Sequence, residues 1–234
     1  MAKINFKKGL TDIVLYIIIF IVVQIFLTYA GAGIWAAVKG EGYQATLLAM
    51  HTGNNAILTA LTTVFSNVIT LIIFLKAKWT PITRNYLQSK PWISLLWVAL
   101  FTLGAIIPLE FVYEQIGVEM DADTERVFAS LMKEPWGYVA IGILAPLAEE
   151  IVFRGAILRT LLDMVSKKNH WVAIFISAAV FGLIHGNKAQ FINALLMGLL
   201  LGWMYYRTKS LVPGILMHWV NNTMAYVLNN LMPQ

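Results

Sequence analysis

The stretch Thr11–Ala37, TDIVLYIIIFIVVQIFLTYAGAGIWAA, opens on two helix-capping residues and then carries no charge until Lys39. About 20 mostly apolar residues suffice for a helix to cross a hydrocarbon core of roughly 30 Å. This run exceeds that. A length beyond about 25 residues predicts either an early end near Gly31 to Gly33, with room for an eighth hydrophobic piece, or a tilted and broken helix. No small-residue cleavage site followed by a soluble domain is evident, so the run is not read as a removable signal peptide.

Six similar runs follow, at about 54–76, 92–113, 136–163, 170–186, 189–206 and 211–230. Across 234 residues, 59% are hydrophobic, only 12% are charged, and the mean hydropathy is +0.71. Soluble domains carry roughly twice that share of charge. A soluble globule is excluded, and so is a disordered chain, since no like-charge block or Pro/Ser-rich linker appears. The expected fold is all-α: a polytopic membrane helical bundle of about seven to eight transmembrane helices. Its expected parts are N-terminal helices over 1–113, a surface loop over 114–135 and a helical core over 136–234. The absence of cysteine removes disulfides, thiolate metal sites and a cysteine nucleophile.

The net charge of +5 raises the question of nucleic acid, and the positions of the basic residues answer it. With the amino terminus inside, twelve lie on inner segments: Lys3, Lys7, Lys8, Lys76, Lys78, Arg84, Lys90, Arg159, Lys167, Lys168, Arg207 and Lys209. Only Lys39, Arg126, Lys133 and Lys188 fall outside. That bias fixes an orientation and meets anionic lipid headgroups, so the partner expected is a bilayer and not nucleic acid. The setting it suits is a bacterial cytoplasmic membrane, with the amino terminus in the cytoplasm. The outer 113–135 loop is acidic, and Val127, Phe128, Leu131 and Met132 are spaced for a short amphipathic helix at the surface. Trp79, Trp92, Trp136, Tyr205 and Tyr206 stand near span ends and read as interfacial anchors. Gly198 and Gly202, four apart, predict close helix approach, within the chain in preference to dimerisation.

No ionised side chain lies deep in the N-terminal spans, whereas several lie in the C-terminal ones. A charge at the bilayer centre costs at least about 2.5–3.5 kcal/mol, so such groups are functional candidates. Glu149 and Glu150 fall about 13 residues into the fourth run, roughly 20 Å along a helix. Glu150 and Arg154, four apart, can pair on one helical face. Glu149 points about 100° away and needs a partner across the bundle or a hydrated cavity. A buried structural cluster is the plainer reading, yet one ion pair would serve that purpose without a second carboxylate.

Phe181 and His185 share a face of the fifth run, and His218 and Asn222 share one of the seventh. His51 and His170 sit at loop or span edges and carry no expected role. A carboxylate held away from bulk water suits a general base acting on water. Imidazoles can hold that water, donate to a developing oxyanion or ligate a metal, and an amide can orient a ring or donate as well. This combination suits peptide-bond hydrolysis. The zinc signature H-E-x-x-H is absent. Glu149, His185, His218 and Asn222 could form an oxygen/nitrogen metal set, which nothing in their spacing demands. On straight helices His185 and His218 would differ by roughly 12 Å in depth. A helix starting inside a cavity at Val212-Pro213-Gly214, or ending early at Gly186-Asn187-Lys188, would close that gap.

The segment from Ala145 to Gly155, APLAEEIVFRG, resembles the E-E-x-x-x-R motif of the CPBP family, the CAAX proteases and bacteriocin-processing enzymes also called the Abi family. Phe181 to His185 matches its F-x-x-x-H, and His218 to Asn222 its H-x-x-x-N/D. The match covers about 136–225 and no motif residue departs from it. The resemblance implies an intramembrane endopeptidase. In it Glu149 activates water, Glu150 and Arg154 support Glu149, His185 binds the water or its metal, and His218 and Asn222 stabilise the oxyanion. It leaves open zinc or a metal-free glutamate mechanism. The implied substrate is a peptide or small membrane protein. Small bacterial members resembling this chain are linked with peptide or bacteriocin maturation or self-immunity. The rival reading is a non-catalytic immunity or peptide-binding protein on the same scaffold. A proton-coupled transporter is a thinner third, unsupported by any inverted repeat.

Overall fold

The structure, a computed structural model, describes residues 5–81, 85–90 and 92–231. Lys3 and Arg84 of the charge tally lie outside the described residues. Helices α1 (Phe6–Lys39), α2 (Tyr43–His51), α3 (Ala56–Lys76), α4 (Asn85–Ser89), α5 (Ile93–Ile116) and α6 (Ala122–Met132) come first. A continuous helical path over 135–164, α7, follows, then α8 (His170–Leu183), α9 (Lys188–Thr208) and α10 (Val212–Leu231). No strand occurs among the described residues. The chain is an all-α helical bundle and an integral membrane protein.

Among the described residues, four helices are long and apolar enough to cross a bilayer: α1, α3, α5 and α9. The seven expected runs all form helix, but they are not seven equal spans. Helix α8 has 14 residues, about 21 Å of rise, which is short of a hydrocarbon core. It stops at Leu183, and Gly186 follows in the left-handed region at φ 68° before Asn187 caps α9. The early end expected near Gly186 is therefore present. The break expected near Gly31 to Gly33 is not: α1 is one helix of 34 residues. Gly31 serves close approach instead, since a Cβ there would stand 2.4 Å from Thr62 Cγ2 of α3.

The centre of the bundle is α7, whose residues 150–158 are all buried. Phe20, Phe74, Ile151, Phe153, Ile157 and Phe181 form the main apolar cluster there. Large side chains on α1 and α5, among them Ile18, Val22, Phe26, Trp97 and Ile107, point outward, as a lipid-facing exterior requires. Gly198 and Gly202 do pack within the chain: a Cβ on them would meet Ala178 at 3.0 Å and Ile174 at 2.9 Å, both on α8. Helix α6 is the expected amphipathic piece. Asp121 caps it through the Thr124 backbone N–H at 2.9 Å, and these Thr124 hydrogen bonds hold the Asp121 carboxyl below its ordinary range. Its Leu131 joins Ala60 and Ala140 in a buried cluster.

The aromatic residues divide. Trp92 and Trp136 are exposed at the periphery. Trp79 instead packs against Tyr16 and Phe74, each at 5.1 Å, and Tyr206 stacks on His170 at 4.2 Å. Trp79, Tyr205 and Tyr206 are partly buried against the main apolar cluster.

Candidate active site

Helix α7 is widened twice into π geometry, over Tyr138–Leu144 and Glu150–Leu158. Single-turn π segments concentrate at functional sites and leave carbonyls in need of new donors. In the first, Ala145 N–H bonds Ala140 O, five residues back. The next carbonyl in that register, Ile141, would face Pro146, which has no N–H. Asn222 Nδ2 donates to Ile141 O at 2.9 Å and fills the gap. In the second, Thr80 Oγ donates to Ile151 O at 2.7 Å and Ser177 Oγ to Phe153 O at 3.0 Å.

The second π segment begins at the paired carboxylates. Arg154 Nη1 donates to Glu150 Oε1 at 2.8 Å, with both side chains sealed from solvent at 0% and 1% exposure. Arg154 also donates from Nη2 to Gly198 O at 3.2 Å, and its guanidinium lies 4.6 Å over the Phe181 ring. Glu149 is not part of that pair, as its position on the helix required. Its carboxylate meets α10: Glu149 Oε2 is 3.5 Å from His218 Nε2. The same ring faces Glu150 Oε1 at 3.2 Å through Nδ1. One imidazole is thus held between two carboxylates. Glu150, held by Arg154, accepts from the ring's Nδ1–H, and Nε2 faces Glu149. Glu149 keeps 16% of its side chain exposed, against 1% for Glu150. Gly214 makes this approach possible, since a Cβ there would lie 3.0 Å from Glu150 Oε2.

His185 also borders Phe181. The two imidazoles lie edge-on to that ring, at 5.1 Å for His185 and 5.9 Å for His218. Both imidazoles thus border the same ring, and α8 ends at Leu183, just before His185. His185 Nδ1 bonds Phe181 O at 2.8 Å; a carbonyl only accepts, so Nδ1 carries the hydrogen and Nε2 keeps its lone pair. Phe181, which touches Arg154, His185 and His218, is the organising ring, and its place four residues before His185 was the signal for it. Asn222 uses one amide hydrogen on Ile141 and does not orient His218 in the hydrogen bonds of the structure.

The sequence left a metal open. Among the described residues no three His, Cys, Asp or Glu side chains converge closely enough to hold an ion. Glu149, His185, His218 and Asn222, as placed, do not close a coordination shell.

Residues 131–224 match the family described as type II CAAX prenyl endopeptidase Rce1-like. Over that stretch the chain is similar to the Rce1-like CAAX endopeptidases. All three motifs, and every site residue above, fall inside the Rce1-like stretch. A Bacillus subtilis (strain 168) protein described as "Putative membrane peptidase YdiL" is 26% identical over 126 residues, or 51% of this chain. That alignment takes in 50% of the relative, so the chain matches about half its length. No solved structure matches the chain.

Proposed function

We propose that this protein is an intramembrane endopeptidase that hydrolyses a peptide bond in a membrane-associated peptide or small protein. The observation that carries the reading is the two-carboxylate clamp on His218, in which Glu150 is sealed with Arg154 while Glu149 stays open. That division separates a group that orients from a group that reacts. Glu149 takes a proton from a water molecule, the resulting hydroxide attacks the scissile carbonyl carbon, and the same proton passes to the departing amine. His218 Nε2 faces Glu149 and helps place the water. The second amide hydrogen of Asn222 is the donor assigned to the oxyanion, and His185, whose Nε2 keeps its lone pair, accepts from the water. The Rce1-like match over 131–224 and the peptidase-named relative support the class of reaction.

Glu149→Gln keeps the shape and removes the base. Its expected effect is a fall in kcat of at least about 100-fold, since general-base catalysis supplies roughly 10²–10⁴. The measurement is cleavage of a panel of membrane-associated peptides in proteoliposomes, with the variant's melting curve as a control for folding. Undiminished cleavage by a folded Glu149→Gln protein overturns the proposal.

A further inference from the structure

Four uncharged polar side chains from α1 and α3 meet inside the apolar N-terminal half, outside the Rce1-like stretch. Ser66 Oγ donates to Gln24 Oε1 at 2.6 Å, and Gln24 Nε2 donates to Asn67 Oδ1 at 3.4 Å. Ser66, Asn67 and Thr70 are 1%, 3% and 0% exposed. Asn67 Nδ2 and Thr70 Oγ1 nevertheless have no hydrogen-bond partner among the described residues. Thr28, Thr59, Thr63 and Thr102 each donate to the carbonyl four residues earlier. Thr70 does not, so its hydroxyl is turned away from its own helix ladder. Asn67 and Thr70 share one helix face, with Cβ atoms about 5–6 Å apart, a separation that one water molecule bridges.

The depth of this cluster is informative. Phe20 of α1 meets Phe153 of α7, with ring centroids 5.6 Å apart. One turn further along these antiparallel helices, Gln24 comes level with Glu149. Helix α3 runs parallel to α7, with Ala60 beside Ala140 at one end and Thr80 on Ile151 O at the other. Asn67 and Thr70 fall between those contacts, beside Ala145–Glu149, against which α3 packs directly. The cluster therefore lies behind the segment that carries the reacting carboxylate. Unpaired polar atoms in an apolar interior are costly, and a buried water is the ordinary way such a cost is met.

We propose that Gln24, Ser66, Asn67 and Thr70 form a hydration site that holds water behind the Glu149 segment and feeds the hydrolytic step. The feeding role rests on the peptidase reading above; the hydration site does not. Each peptide bond cleaved consumes one water in a region where bulk water is scarce, and a buried seat for the next molecule keeps the site supplied.

A structure of the full chain in lipid, at a resolution that shows waters, is expected to place one within hydrogen-bond distance of Asn67 Nδ2 and Thr70 Oγ1. Thr70→Val, close in shape, is expected to lower Tm, because a bridged hydroxyl is lost; a dry, unpaired hydroxyl would instead raise Tm on removal. In the cleavage assay Asn67→Leu and Thr70→Val should each lower kcat by about tenfold with KM unchanged, whereas Thr63→Val, whose hydroxyl bonds its own helix, should not. A dry site or a raised Tm overturns the hydration site. Water in place with kcat unchanged overturns the feeding role. Failure of the wild type to cleave anything would sink the peptidase reading and the feeding role with it, while the water positions and Tm still decide the site.

Discussion

Arg154 is the residue on which the site's electrostatics turn. It is fully buried, pairs with Glu150, bonds Gly198 O and lies over Phe181. Arg154→Met leaves Glu150 as a sealed, uncompensated charge, and breaking a buried pair in this way costs about 3–5 kcal/mol. Thermal denaturation in detergent should show that loss, and the double variant Glu150→Gln/Arg154→Met should recover most of it. A single variant as stable as wild type would mean the pair is not needed for folding. The pairing was legible in the sequence, because a spacing of four puts both residues on one helix face. The exclusion of Glu149 from it was legible for the same reason. The clamp on His218 was not, since no local spacing ties residues 149 and 150 to residue 218. Nor was the Asn222–Ile141 bond, which follows from the interplay of Pro146 with a π register that no residue pattern announces.

At the scale of the element, the π segments of α7 depend on donors from neighbouring helices and loops. Thr80 reaches Ile151 O only because Gly155 has no side chain: a Cβ there would stand 2.2 Å from Thr80 Cγ2. Gly155→Ala is therefore expected to destabilise the fold by about 1–3 kcal/mol, the usual cost of overpacking. Thr80→Ser in the same chain should restore part of the loss, and an unaltered Tm for the single variant would contradict the argument. Element existence was well marked by hydropathy, and each apolar run became a helix. Element length was not. Thr11–Ala37 suggested a break at its glycines, which instead seat α3, and the 170–186 run looked long enough to cross yet stops at Leu183. The polar cluster of Gln24, Ser66, Asn67 and Thr70 was not legible, because amides and hydroxyls scattered through an apolar run carry no charge to mark them.

Taken whole, the bundle places Lys133 at the end of α6 and Lys167 after α7, both exposed. The proposed orientation, amino terminus inside, puts them on opposite faces of the membrane. The chain has no cysteine, so single replacements report without interference. A membrane-impermeant maleimide should label Lys133→Cys in intact cells and Lys167→Cys only after lysis; the reverse pattern would invert the topology.

The shortness of α8 reaches beyond the protein to its surroundings. A 14-residue helix leaves about 9 Å of a typical hydrocarbon layer unmatched beside it. Lipids bordering α8 must therefore draw together into a local dimple, lowering the headgroup region toward the turn that carries His185. The turn that carries His185 and the deformed leaflet are then two sides of one feature, and acyl-chain length becomes a variable of the proposed site's own surroundings.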